Sequence, residues 1–242
     1  MFGWRGKLGI IMPDNNTVME PELYGYLPDG VSLHGGRALM HGVAAKDRIP
    51  TGVAALPAVI DGMQKRVGAM AYACMTTSIF MPLGYQKTLK DHTKGVPFLP
   101  AGETMVRALQ EVGAKRIGVF SPWVEDIATR VPAWFAQVGF EVVHNVNIPF
   151  TRDEVTGHDV VEFYPRIMRE FRDKEIDALG IMGTDWGSFP IIDLLESDLG
   201  FPVISSNLAM LWCMLGVVGV NDSIGVGTLF EHQPPSDVPS LG

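Results

Sequence analysis

Residues 71–80, AYACMTTSIF, set one of only two cysteines, Cys74, at the end of an apolar run and just ahead of Thr76, Thr77 and Ser78. A thiolate is a nucleophile and a base, and a thiol is an acid. Backbone N–H and hydroxyl groups at a strand-to-helix turn hold carboxylate oxygens, and they lower a thiol pKa from its ordinary value of about 8.5. The combination suits a nucleophile or an acid–base group beside an anion-binding turn. Among the three hydroxyls, Thr77 is the preferred donor to a bound anion. A buried structural thiol is the bland alternative, and it is the reading adopted for Cys213, between Trp212 and Met214 in an apolar helical run.

Other side chains fit the same chemistry. Asn16 and Thr17 precede a helix expected from Val18, where Asn16 serves as a cap, a carboxylate ligand, or both. Arg152, in FTRDEV, offers a planar fork to a carboxylate, or pairs with Asp153 or Glu154. Trp123, in SPW, is a pocket wall or plain packing. Asp185, in GTDWG, is an acid near a small-residue turn. Ser205, Ser206 and Asn207 read as a helix cap, and Tyr85 as packing.

These residues need a scaffold, and the apolar pattern supplies one. Strands are expected at 7–13, 68–75, 115–122, 141–149, 177–183 and 201–207. Helices are expected at 52–67, 101–114, 124–140 with a bend at Pro132, 158–174, 189–200 and 208–220. Continuous apolar strands alternating with helices mean parallel sheets covered on both faces. The two halves echo each other: IIMPDNN and IGVFSPW open them, and AYACMTT and GIMGTDW come later in each. Loops at the carboxyl ends of parallel strands bind ligands. The expected architecture is α/β, with two pseudo-symmetric lobes and a site in the cleft between them. Residues 1–99 plus 206–242 form the first lobe, and residues 100–205 the second.

Composition excludes several classes. The chain has 242 residues, 47% hydrophobic and 19% charged, enough for a well-filled core and unlike a disordered segment. A formal charge of -8 argues against nucleic acid and anionic membrane partners. Two cysteines make no disulfide scaffold. The six histidines show no i,i+4 pair and no HExxH, and CxxC is absent, so no metal site is expected. The first apolar run stops at Pro13, too short for a signal peptide or a membrane span, so a reducing cytoplasm is the expected location.

At the four strand-end loops the sequence resembles the aspartate/glutamate racemase superfamily, in its maleate cis-trans isomerase and arylmalonate decarboxylase branch. IIMPDNNTVMEPEL (10–23) is similar to the isomerases' Pro-x-x-Asn-Thr-x-Met-Glu opening. YACMTTSIFMPLGY (72–85) is similar to their Tyr-Ala-Cys segment. The resemblance implies chemistry without a cofactor or metal, on a small carboxylate, in a homo-oligomer. It implies one cysteine from each lobe in the racemases and isomerases, and only the second in the decarboxylases. The first position falls on Cys74. The second falls on Gly183, followed by Thr184 and Asp185, so the chain resembles a mirror image of the decarboxylases. Trp123 stands where the family has a tyrosine, and Arg152 roughly where the isomerases have a carboxylate-binding asparagine. The resemblance therefore implies a Cys74-dependent isomerase of the maleate type. The alternatives are a malonate-type decarboxylase, in which Cys74 protonates an enediolate, and a carboxylate binder without turnover. Residues 76–78, Asn16, Trp123, Arg152, Gly183 and Thr184 would bind the substrate, with Asp185 as the acid beside the missing thiol.

Overall fold

Central parallel strands bury both faces, so they must be apolar throughout and covered by helices. The chain solves this problem twice. The computed structural model describes residues 2–239 and 241, and contains two four-stranded parallel sheets. The first comprises β1 (Gly6–Pro13), β2 (Val31–Ala38), β3 (Ala69–Tyr72) and β4 (Phe98–Pro100), in the order β2-β1-β3-β4. The second comprises β5 (Arg116–Ser121), β6 (Glu141–Asn147), β7 (Ala178–Ile181) and β8 (Val203–Ser205), in the order β6-β5-β7-β8. The two orders match strand for strand.

In the first half the helices are α1 (Met19–Tyr24), α2 (Ala45–Met63), α3 (Met75–Phe80), α4 (Lys90–Thr93) and α5 (Ala101–Glu111). In the second they are α6 (Glu125–Ala128), α7 (Val131–Gln137), α8 (Tyr164–Phe171), α9 (Phe189–Leu199) and α10 (Ser206–Val217). Helices α5 and α10 each follow the last strand of a sheet and pack against each other. Helix α10 also lies on β3 and is buried from Ser206 to Gly216, as befits a helix apolar on every side. Its N-terminus is capped by Ser205, which accepts from the Leu208 amide at 3.1 Å, as expected for that serine. Cys213 is in its buried interior, and burial pushes the thiol far up from its ordinary pKa. No helix among the described residues is long and apolar enough to cross a membrane.

The elements depart from their expected spans for local reasons. Strand β2 was not anticipated, because VSLHGGRA is an edge strand with only two buried residues and no apolar run. The 124–140 helix divides into α6 and α7, with Pro132 in the first turn of α7, where its missing N–H costs nothing. Helix α2 begins at Ala45, seven residues earlier than expected, and runs through Pro50 and Pro57. The 158–174 segment opens as a 3-10 turn, Val160–Phe163, capped by Asp159, before α8 begins.

Candidate active site

One cavity of about 510 Å³ lies between the carboxyl ends of the two sheets. Its lining includes Cys74 and Thr76 from the loop after β3, and Gly183, Thr184 and Asp185 from the loop after β7. Strand β3 ends at Tyr72 and β7 at Ile181, so Cys74 and Gly183 are both the second residue past a strand end. The two sheets therefore present equivalent positions to one space, a thiol on one side and a bare α-carbon on the other.

Cys74 sits at the N-terminus of α3 in extended conformation and is 6% exposed. The Thr77 hydroxyl donates to its Sγ at 3.1 Å and lies 3.4 Å from the Tyr72 hydroxyl. Burial pushes the Cys74 thiol up, while Thr77, through its hydroxyl and its amide, and Tyr72 pull it down; the net direction is up, with the Asp185 charge adding to it. The local donors expected to lower this pKa are present, but desolvation outweighs them. At neutral pH Cys74 therefore rests as a thiol.

Asp185 faces the cavity, where burial raises its carboxyl to about 6 against the pull of its own amide, Arg152 and Arg48. Gly183 occupies a left-handed conformation, φ +101°, and a Cβ there would lie 2.9 Å from Cγ of Pro122. Where the family resemblance implies a second cysteine, this chain therefore has a backbone conformation that L side chains rarely adopt.

Several candidate residues sit behind the cavity instead of on it. Asn16 is fully buried: its carbonyl oxygen accepts from the amides of Val18 and Met19, both at 3.1 Å, and its Nδ2 donates to the Thr184 carbonyl at 2.9 Å. The Thr184 hydroxyl donates across the cleft to the Ala73 carbonyl at 2.8 Å, beside Cys74. Thr77 faces the thiol. Ser78 points the other way and accepts from the Gly102 amide at 3.0 Å, so α5 approaches α3 closely. Trp123 does line the cavity. Trp186 stacks on Phe120, ring centres 5.5 Å apart, and Phe80 lies under the Arg130 guanidinium; neither reaches the cavity. Arg152 lines it but pairs with Asp14 from the opposite lobe, not with Asp153 or Glu154.

Sequence reasoning missed three contributors. Asn15, not Asn16, reaches the cavity, and its Nδ2 donates to the Arg152 carbonyl at 2.9 Å. Glu22 accepts from the amides of Ser188 and Phe189 at the start of α9, and from the Asn207 amide group. Segment 14–22 is thus a clasp on the second lobe. Arg48, in the first turn of α2, also lines the cavity. It was missed because the helix was expected only from residue 52. Among the described residues no His/Cys/Asp/Glu cluster is placed to hold a metal.

Two like lobes that turn one thiol and one carboxyl onto a shared cavity are the make-up of an α/β enzyme with its site in the cleft. Residues 10–230 match the family model for arylmalonate decarboxylase, and the chain belongs to that family. The maleate isomerase of Alcaligenes faecalis is 23% identical, over 90% of this chain and 93% of its own. A maleate cis-trans isomerase variant from Nocardia farcinica, carrying a covalently bound succinylcysteine intermediate, superposes with a TM-score of 0.81 at 20% identity, covering 93% of this chain and 98% of that one. A liganded variant of arylmalonate decarboxylase, with one glycine changed to cysteine and one cysteine to serine, superposes with a TM-score of 0.83 at 16% identity, covering 93% and 99%. At these identities the superpositions speak for the fold.

Proposed function

We propose that the protein is a Cys74-dependent cis-trans isomerase of a small unsaturated dicarboxylate of the maleate type, with Asp185 in the role a second thiol would fill. The observation that carries this reading is that Cys74 and Asp185 come from matching loops of the two sheets and line one cavity. The maleate isomerase relatives supply the reaction type.

The step derives from the two pKa directions. The Asp185 carboxylate, poised near 6, takes the Cys74 proton as sulfur adds to one alkene carbon. The electron pair of the double bond moves onto the neighbouring carbon and its carboxylate, and the protonated Asp185 returns the proton to that carbon. The product is a succinyl thioether with a single bond free to rotate. Reversal of both transfers after rotation expels the thiol and leaves the trans alkene. The Thr76 hydroxyl, on the cavity wall, is the donor nearest in sequence to the thiol for the adjacent carboxylate. Gly183 leaves room opposite, and the indole of Trp123 helps exclude water.

Incubating the native protein with maleate and following fumarate by proton NMR tests the reading. Intact-mass analysis of a quenched reaction would find one added maleic acid, on Cys74 and in no Cys74→Ser sample. No fumarate and no adduct at millimolar maleate would sink it.

A second reading rests on the family model and on the resting state of the thiol. A buried, protonated Cys74 is also placed to hand a proton to the enediolate left when a malonate loses carbon dioxide. Carbon dioxide release from phenylmalonate, measured beside the maleate assay, separates the two.

A further inference from the structure

Among the described residues, Arg48 is the one cavity cation that no acidic side chain contacts. Its Nη1 donates to the Val43 carbonyl, which holds the side chain in place. No Asp or Glu among those residues forms an ion pair with it, whereas its neighbour Arg152 has Asp14. The other charged or titratable groups around it are Arg152, which opposes it, and Cys74, Asp153 and Asp185, which favour it at longer range. Asp126 on the cavity wall is engaged with Arg130. Burial and Arg152 together hold the Arg48 guanidinium below its ordinary pKa. A half-buried cation with no contacting anion is costly unless a ligand supplies one. A guanidinium answers a carboxylate with two parallel hydrogen bonds.

We propose that Arg48 receives the distal carboxylate of the substrate, the one remote from Cys74, and so sets a requirement for a dianion. This rests on the reading that Cys74 works on a carboxylate. The cavity has room for it: 510 Å³ matches roughly 17 waters at about 30 Å³ each, space for both carboxylates and the carbons between them. Because Arg48 comes from α2, away from the loops that carry Cys74 and Asp185, it sorts substrates without taking part in bond making.

Calorimetric titration tests this with two dianions, maleate and succinate, and two monoanions, (Z)-but-2-enoate and butanoate. The native protein should prefer the dianions by at least about tenfold, the strength of a charge-assisted pair. Arg48→Ala should weaken both dianions by about 10- to 100-fold and leave the monoanions within about twofold. The unchanged monoanions then report an intact site. Should Arg48→Ala fail to fold, Arg48→Gln, which keeps the stem and a donor for Val43, must show the same selective loss. Absence of a dianion preference in the native protein, or a preference that survives either substitution, overturns the proposal. Fumarate formation is scored in the same samples. If it is absent while the binding pattern holds, the isomerase reading fails and the role of Arg48 stands.

Discussion

The loops after β3 and β7 occupy equivalent places in equivalent sheets, yet one ends in Cys-Met-Thr-Thr and the other in Gly-Thr-Asp-Trp. In the first, the thiol stands at a helix start and a hydroxyl three residues on donates to it. In the second, the equivalent residue has no side chain, its backbone is left-handed, and the acid comes two residues later. Duplicating a scaffold thus duplicates the position of a functional group, not its chemistry. Burial raises the thiol of the first loop and the carboxyl of the second alike, and it brings only the carboxyl, at about 6, toward neutrality.

The two loops should therefore differ in how severely substitution harms them. Replacing Cys74 by alanine should be the most severe change, lowering isomerase turnover by about 10⁴-fold or more, since no other group can form the thioether. Maleate binding measured by calorimetry should persist. Next comes Asp185→Asn, with an expected loss in kcat of about 10²- to 10³-fold. The native kcat/KM should rise with pH through about 6 as Asp185 ionises, and this limb should vanish in the variant.

The same substitution has a stability signature. The folded carboxyl binds its proton more tightly than the unfolded one, so the native protein loses stability as pH rises from about 4 to about 6. Asp185→Asn removes that loss, on the order of 3 kcal/mol. The variant should melt higher than the native protein at pH 8 and no higher at pH 4. An equal difference at both pH values would show that Asp185 is not held up by burial.

Restoring symmetry should fail. Gly183→Cys forces a Cβ against Pro122 and a left-handed φ on an L residue, costing about 1–3 kcal/mol in chemical denaturation. Gly183→Ala should cost about as much, and Pro122→Ala should relieve part of either. Thr77→Val should have the smallest effect, slowing iodoacetamide labelling of Cys74 near pH 8 by about tenfold through loss of one hydrogen bond to the thiolate. Labelling at native rates would assign Thr77 to packing alone.

Much of this was legible in the order of the residues. Cys74, the two-sheet pattern and the doubled motif rest on local apolar runs and short spacings, which reflect neighbouring residues only. The edge strand β2 was not legible, because only two of its eight residues are buried and it carries no apolar run. Asn16 and Asn15 illustrate the limit within a site. Adjacent asparagines in one turn read alike, yet one is a fully satisfied strut to Thr184 and the other reaches the cavity. Arg48, Glu22 and Arg152 find their roles only against residues more than a hundred positions away or across a cleft.

The chain alone dictated that a thiol comes after an apolar strand in an α/β protein, because strand period, helix period and turn residues are local properties of the backbone. Only folding pushed that thiol's pKa up, buried Asp185 on the same cavity so that its carboxyl rises to about 6, and left Arg48 without an acidic partner among the described residues. Desolvation and charge pairing are sums over whatever the fold brings within a few ångströms, and sequence distance carries no record of that.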